Sequence, residues 1–237
     1  MKDFLLICLS QQPLHDLRVI HKAYDQQMYL YQHRMHGIRG KVVSIAQPHV
    51  RPIARGKAKA AFEFGAKISA ARTEHGMFYI DRLSWEPYNE GADLPMQVEE
   101  YSRRFGRYPE SVHADRIYRT RENRRWCEER EIRLSGPPLG RPREIDVGVV
   151  TRRKRRRQEK VDERIRQTIE SCFGVGKRKY SLACVYEKLR VTSETTIMIN
   201  MMLMNLEKIL RRSLGQLFLW TKRLLEHQDS SRIVMNH

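Results

Sequence analysis

The sequence lacks long apolar runs, a cysteine framework and any excess of acidic residues. Its 237 residues include only four cysteines, which are not spaced as zinc-binding pairs and suit reduced thiols better than disulfides. The most apolar stretches, Phe4–Leu9 and Ile197–Leu206, are too short for the ~20 residues of a membrane-spanning helix. Phe4–Leu9 is also too short for the core of a secretory signal. We therefore expect a cytoplasmic protein with no membrane segment.

Acidic side chains are too few to balance the basic ones. The chain has 45 Lys and Arg against 28 Asp and Glu, a formal net charge of +17 at pH 7. Residues 36–61 contain no acidic residue at all. This imbalance predicts a polyanionic partner, most often nucleic acid, and argues against an enzyme of small metabolites.

Hydrophobic periodicity predicts helices and strands in an α/β order. The predicted helices cover residues 14–35, 93–105, 121–130, 159–173 and 193–212, and the predicted strands cover 42–46, 62–71, 77–83, 111–114 and 132–134. Residues 47–59 are expected to form an electropositive loop, and 137–160 a polar linker. Three strands before the first inserted helix predict an antiparallel meander that enters a mixed sheet.

Three collinear stretches carry a resemblance to a known family. They read QPHVRPIARGKAKAAFEFGAKIS (47–69), SVHADRIYRTRENRRWCEEREIRLSGPPLGRP (111–142) and ETTIMINMMLMNLEKILRR (194–212). They resemble bacterial insertion-sequence transposases of the DDE type, and the resemblance runs from about residue 17 to residue 212. It implies an α/β, RNase-H-like mixed sheet with flanking helices, and additional N-terminal and C-terminal helices.

The resemblance also implies a domain layout and a chemistry. Residues 1–40 would be a helical remnant of an N-terminal region, 41–212 the catalytic core with a basic linker at 136–158, and 213–237 a C-terminal tail. Such transposases cut and join phosphodiesters with two Mg²⁺ or Mn²⁺ ions held by carboxylates. The implied partner is double-stranded DNA, both the element's terminal repeats and the target, in a nucleoid-associated bacterial protein with a homodimer as one option.

Two carboxylates occupy the positions of the second and third catalytic acids of this family. Asp115 follows the predicted strand 111–114, and Glu170 lies on the predicted helix 159–173. The resemblance implies that both are catalytic and bind metal. From the residues alone, Asp115 is equally a turn-capping residue and Glu170 a solvated helix residue.

Two basic residues complete a spacing similar to the family's Tyr/Arg/Glu/Lys signature. Arg166 precedes Glu170 by one helical turn, and Lys177 follows it by seven residues. The resemblance implies that Arg166 and Lys177 contact DNA phosphates near the cut. The signature's tyrosine position holds Glu163 in this chain.

A run of basic residues occupies the predicted linker, at Arg152, Arg153, Lys154, Arg155, Arg156 and Arg157. One interpretation is a solvated linker, and a nuclear-localisation signal is disfavoured by the bacterial resemblance. We expect instead that the run contacts DNA phosphates, because a duplex neutralises adjacent like charges.

The first catalytic acid of the family has no counterpart here. Relatives carry it at or just before the predicted strand 42–46, where this chain reads Arg39-Gly40-Lys41. The leading hypothesis is therefore a DNA transposase that cuts and joins phosphodiesters at insertion-element ends, here a C-terminal portion of a longer protein in which truncation and the loss of this acid are expected to leave little or no activity. The alternatives are a catalytically dead DNA-binding remnant and, with less support, a generic basic RNA-binding protein that lacks the usual RNA-binding motifs.

Overall fold

The computed structural model describes residues 10–57, 60–137 and 149–233 of an α/β protein. The helices are α1 (Gln11–Gln32), α2 (Leu94–Phe105), α3 (Arg121–Glu128), α4 (Val149–Lys179) and α5 (Arg190–Ile233). The strands are β1 (Arg51–Lys57), β2 (Ala60–Gly65), β3 (Lys67–Arg72), β4 (Phe78–Ser84), β5 (Ser111–Val112) and β6 (Arg133–Leu134). Parts of four predicted segments lie outside the described residues: 1–9 of the N-terminal region, 58–59 of the loop, 138–148 of the linker and 234–237 of the tail.

The strands form three separate pairs. β1 pairs with β2 and β3 with β4, both antiparallel, whereas β5 and β6 are parallel. The α/β prediction is therefore confirmed. Within the described part of the chain the strands form these pairs and not the single mixed sheet that was expected.

The predicted strand at 42–46 is wrong, and the predicted loop at 47–59 contains a strand. The side-chain amide of Gln26 in α1 donates to Gly40 O at 3.1 Å and accepts from Val42 N at 2.9 Å. These are backbone groups that a neighbouring strand would otherwise bind. The extended chain instead begins at Arg51, where β1 pairs with β2.

Two helices are longer than their predictions. α4 begins at Val149, inside the predicted linker, because residues 149–173 are rich in Arg, Lys, Gln and Glu and contain neither Gly nor Pro. It also continues through Gly174 and Gly176 to Lys179. α5 runs from Arg190 to Ile233, so residues after 212 continue a helix.

The other helices confirm the sequence prediction because their signals are local. α1 begins three residues before its predicted start, and α2 begins one residue after its own. α3 begins after the predicted cap, where the hydroxyl of Thr120 accepts from Asn123 N at 3.1 Å. None of the described helices has the length and apolar character needed to cross a membrane.

Two apolar clusters hold these elements together. The first joins α2 and α3 to the strand pair β5–β6, through Leu94, Val98, Cys127 and Ile132. The second joins Val50, Trp85 and Ile197, and so brings α5 to the β3–β4 hairpin. α5 is fixed there by Asn205, whose amide bonds both Phe78 N (2.8 Å) and Phe78 O (2.7 Å).

Candidate nucleic-acid and metal site

Helix α4 is anchored to the parallel strand pair by a buried ion pair. Arg133 of β6 donates two hydrogen bonds to the carboxylate of Asp162, at 2.7 and 2.9 Å, and Gln158 donates a third at 2.9 Å. Asp162 is only 7% exposed. The hydrogen bonds from Arg133 hold the pKa of Asp162 below its usual value. This contact sets the position of the next turns of α4, which carry the candidate site.

Asp115 lies just beyond the end of β5, as the sequence predicts. Its Oδ1 accepts from Arg116 N at 2.7 Å, where it caps the short 3-10 helix Arg116–Tyr118. The capping role is therefore confirmed. The same Oδ1 lies 3.8 Å from Nη1 of Arg166, so the capped turn faces α4.

Arg166 is surrounded by carboxylates. It binds both oxygens of Glu163, at 3.0 and 2.7 Å, and its Nη1 donates to Glu170 Oε1 at 2.7 Å. These hydrogen bonds raise the pKa of Arg166 and lower the pKa of Glu163. The spacing of one turn between Arg166 and Glu170 thus gives the predicted ion pair.

One guanidinium group brings Asp115 and Glu170 together. Because Arg166 Nη1 contacts both, Asp115 Oδ1 and Glu170 Oε1 are no farther apart than the sum of those distances, about 6.5 Å. Their side chains are 68% and 62% exposed, so solvent and solutes reach both. The guanidinium group of Arg166 therefore lies between the carboxylates of Asp115 and Glu170.

Lys177 stays on α4, on the same face as Glu170 and two turns further along. Seven residues of helix separate the two Cα atoms by about 10 Å along the axis. Lys177 Nζ lies 3.5 Å from Glu63 Oε1 of β2. Arg166, Glu170 and Lys177 therefore form one line along the helix, which the predicted stop at Gly174 would have broken.

The basic run forms the first turns of α4 instead of a linker. The side chains from Arg153 to Arg157 are exposed, and consecutive residues of a helix point in different directions. Arg155 also pairs with Glu159 at 3.2 Å, one turn away. Arg152 lies on the same helix, but its side chain is not among those described.

No local feature of the sequence predicted the anchor of α4. The apolar side chains of Val161 and Ile165 are each 42% exposed, whereas Asp162 is buried. The partner of Asp162 is 29 residues away in sequence, and its second neighbour, His113 Nδ1 at 3.6 Å, belongs to another strand end.

Among the described residues, Asp115 and Glu170 together suit one divalent ion. Two exposed carboxylates at most about 6.5 Å apart are able to share one hydrated Mg²⁺ or Mn²⁺, directly or through water. The described residues contain no group of three or more His, Cys, Asp and Glu side chains arranged to hold a metal ion. Two-ion chemistry needs such a group, with the ions ~3.5–4 Å apart.

The strand residues Glu63 and Asp81 do not take the place of the first catalytic acid that the resemblance implies. Glu63 contacts Lys177, about two helical turns from Glu170. Asp81 of β4 is held by Arg104 of α2 at 2.8 Å, and burial raises the pKa of its carboxyl group.

Comparison with protein-family models gives a match. Residues 112–207 match the family model described as the transposase DDE domain. This confirms the resemblance found in the sequence for the part of the chain that holds Asp115, Arg166, Glu170 and Lys177. No curated protein and no solved structure matches the chain significantly.

Proposed function

We propose that this chain binds double-stranded DNA along helix α4, because residues 112–207 match the family model described as the transposase DDE domain. The observation that carries the proposal is the line of Arg166, Glu170 and Lys177 on one face of α4, with Asp115 beside it. Basic side chains at this spacing follow a phosphate backbone, and carboxylates between them offer a place for a divalent cation.

The first half of α4 supplies most of the phosphate contacts. The exposed side chains of Arg153–Arg157 project around the helix. The whole chain has a formal net charge of +17. Their repulsion is relieved when a duplex neutralises them and releases its counterions. Such contacts position DNA without reading its sequence.

Asp115 and Glu170 would hold the divalent ion in this proposal. A bound Mg²⁺ would polarise a phosphoryl oxygen or lower the pKa of an attacking water molecule. Arg166 now neutralises both carboxylates, and the arrival of a cation would free its guanidinium for a DNA phosphate. Arg166 would then change partner from carboxylate to phosphate, in line with its place in the family signature.

We propose further that the chain lacks strand-transfer activity by itself. The family's cutting and joining of phosphodiesters at element ends needs a third carboxylate, and residues 36–61 contain none. The function supported best is therefore a DNA-binding transposase-family protein with an incomplete metal site. An active transposase is the second candidate, favoured only by the family match itself.

The salt dependence of duplex binding tests the DNA-binding proposal. Affinity for a fluorescent duplex of arbitrary sequence is measured by anisotropy between 50 and 300 mM salt, for the chain and two double variants. Arg156→Ala/Arg157→Ala should weaken binding to all sequences and flatten the salt slope by up to about two ions. The matched control is Arg211→Ala/Arg212→Ala, which removes two adjacent exposed arginines from α5.

Two results would contradict this proposal. Absence of duplex binding at 50 mM salt would exclude DNA binding as the function. A change of sequence preference with an unchanged slope would mean that the run reads bases instead of phosphates.

A further inference from the structure

Two phenylalanine rings on the β1–β2 hairpin face solvent. Phe62 and Phe64 are 57% and 65% exposed although both lie within strand β2. Residues two apart in a strand point to the same face, and their Cα atoms are about 6.7 Å apart. Opposite them in β1 are Ala54 and Pro52, which are too small to cover the rings.

The opposite face of the β1–β2 hairpin contacts the rest of the protein. Ile53 and Glu63 are a cross-strand pair, and Glu63 reaches Lys177 of α4 at 3.5 Å. Both residues border a cavity of about 540 Å³, and so does Phe64. The hairpin is therefore held mainly through Ile53 and Glu63, and both phenylalanine side chains stay more than half exposed.

The charge around the hairpin selects the kind of partner. Residues 36–61 carry six Lys and Arg and no acid, and β1 itself contains three of these basic residues. A polyanion complements this charge. Nucleic acid supplies both the phosphates and the flat base faces that stack on aromatic rings.

We propose that Phe62 and Phe64 form a stacking platform for unpaired DNA bases. The proposal rests on the DNA-binding function proposed above and adds a ligand at a different element. Two rings side by side on one strand each offer a face to one base, and the bases of a single strand are free to spread beyond the 3.4 Å rise of a duplex. Bases inside a duplex already have both faces stacked, so the platform prefers single-stranded or locally opened DNA.

The test compares single-stranded with duplex binding by the full chain. A labelled 20-nucleotide poly-dT strand and a 20-base-pair duplex are titrated with wild type, Phe62→Ala/Phe64→Ala and the control Tyr31→Ala, whose ring is 82% exposed on α1. We expect the double alanine variant to bind the single strand about 10- to 100-fold more weakly. Duplex affinity should change less than threefold, and Tyr31→Ala should resemble wild type.

Two further variants separate stacking from plain apolar contact. Phe62→Leu/Phe64→Leu keeps apolar bulk without a π-face and should lose single-strand affinity like the alanine variant. Phe62→Trp/Phe64→Trp should keep it, and its added tryptophan fluorescence should be quenched by poly-dT. Circular dichroism and urea unfolding of each variant establish that the exposed substitutions leave the fold intact.

The outcomes that overturn the inference are distinct from those that overturn DNA binding. If wild type binds duplex with a steep salt dependence and the phenylalanine variants bind poly-dT equally well, the platform is wrong and the proposed function stands. Wild-type affinity in the leucine variant would mean an apolar contact, typical of a protein partner. If wild type binds neither DNA, both proposals are wrong.

Discussion

Arg133 of strand β6 donates two hydrogen bonds to Asp162 of helix α4, at 2.7 and 2.9 Å. Asp162 is buried, whereas the Arg133 side chain is 46% exposed. The pair joins two elements that are far apart in sequence. It therefore fixes the position of the turn that carries Arg166 and Glu170.

Removal of Arg133 should destabilise the protein, because it leaves a buried carboxylate without its cation. We expect Arg133→Met, which keeps most of the apolar stem, to lower the free energy of unfolding by about 2–3 kcal/mol. This is below the cost for a fully buried pair, since solvent reaches the arginine. Urea unfolding measures the change.

The control for this prediction lies on the same helix. Arg155 also pairs with a carboxylate, Glu159 at 3.2 Å, but both side chains are exposed. Arg155→Met should change the free energy of unfolding by less than about 0.5 kcal/mol. Equal losses in the two variants would show that burial of Asp162 contributes nothing.

His113 should make the protein less stable as the pH falls below neutrality. Burial, with a smaller contribution from Arg133, lowers the pKa of His113 in the folded state, although Asp162 opposes the shift. The unfolded chain therefore takes up a proton near the ordinary value of about 6.5 while the folded chain does not. The stabilising contribution is present above that value and is lost as the pH falls toward the lowered folded pKa.

Urea unfolding at pH 7.5, 6.5 and 5.5 measures this dependence. His113→Asn should flatten the decline in the free energy of unfolding over this range. His21→Asn replaces an exposed histidine of α1 that pairs with Asp25 at 2.9 Å, and it should leave the effect of His113 in place. An unchanged slope in His113→Asn would rule out His113 as the titrating group.

Arg166 should weaken metal binding, since it occupies the place where Asp115 and Glu170 meet. Arg166→Gln removes a positive charge that lies 2.7 Å from Glu170 Oε1 and 3.8 Å from Asp115 Oδ1. For a divalent ion at an exposed site, this should tighten Mn²⁺ binding roughly tenfold at low salt. Electron paramagnetic resonance of free Mn²⁺ measures the affinity.

Two variants make this measurement specific. Arg155→Gln removes an equivalent arginine from the same helix, away from Asp115, and should leave Mn²⁺ affinity unchanged. Asp115→Asn in the Arg166→Gln background should abolish the gain. Tighter binding that survives Asp115→Asn would show that the ion binds elsewhere.

The sequence predicted those features that depend on neighbours within about one helical turn. Helix α3 was predicted because Thr120 caps it, and the Arg166–Glu170 pair because four residues of helix separate them. The strand at 42–46 failed because Gln26, from a helix 16 residues away, binds Val42 N. Local apolar pattern carries no information about such a contact.

Some features of the candidate site were likewise predicted from the sequence, and others were not. Asp115 at a strand end and Glu170 on a helix were named from the family pattern, and the structure brings them to one guanidinium group. The burial of Asp162 depends on Arg133, which approaches it only after the chain has folded. No spacing in the sequence predicts that contact.

The last prediction concerns catalysis: the chain as it stands should not nick or join DNA with Mg²⁺ or Mn²⁺. Asp115 and Glu170 suit one cation, and a second cation needs a further acid that residues 36–61 do not supply. Conversion of supercoiled plasmid to nicked circles, followed on a gel, measures the activity.

Gly40 offers a matched pair of variants for this test, because the sequence resemblance implies that the family's first acid would lie at or next to its position. Its φ is +69°, a conformation that Asp and Asn tolerate better than most residues, and an added Cβ would meet nothing within 4 Å. Gly40→Asp supplies the missing charge, and Gly40→Asn has the same shape without it. Nicking by Gly40→Asp alone would show that the lost acid is the cause of inactivity. Nicking by the unaltered chain that disappears in Asp115→Asn would contradict the prediction, since the site would then already hold a complete set of ligands.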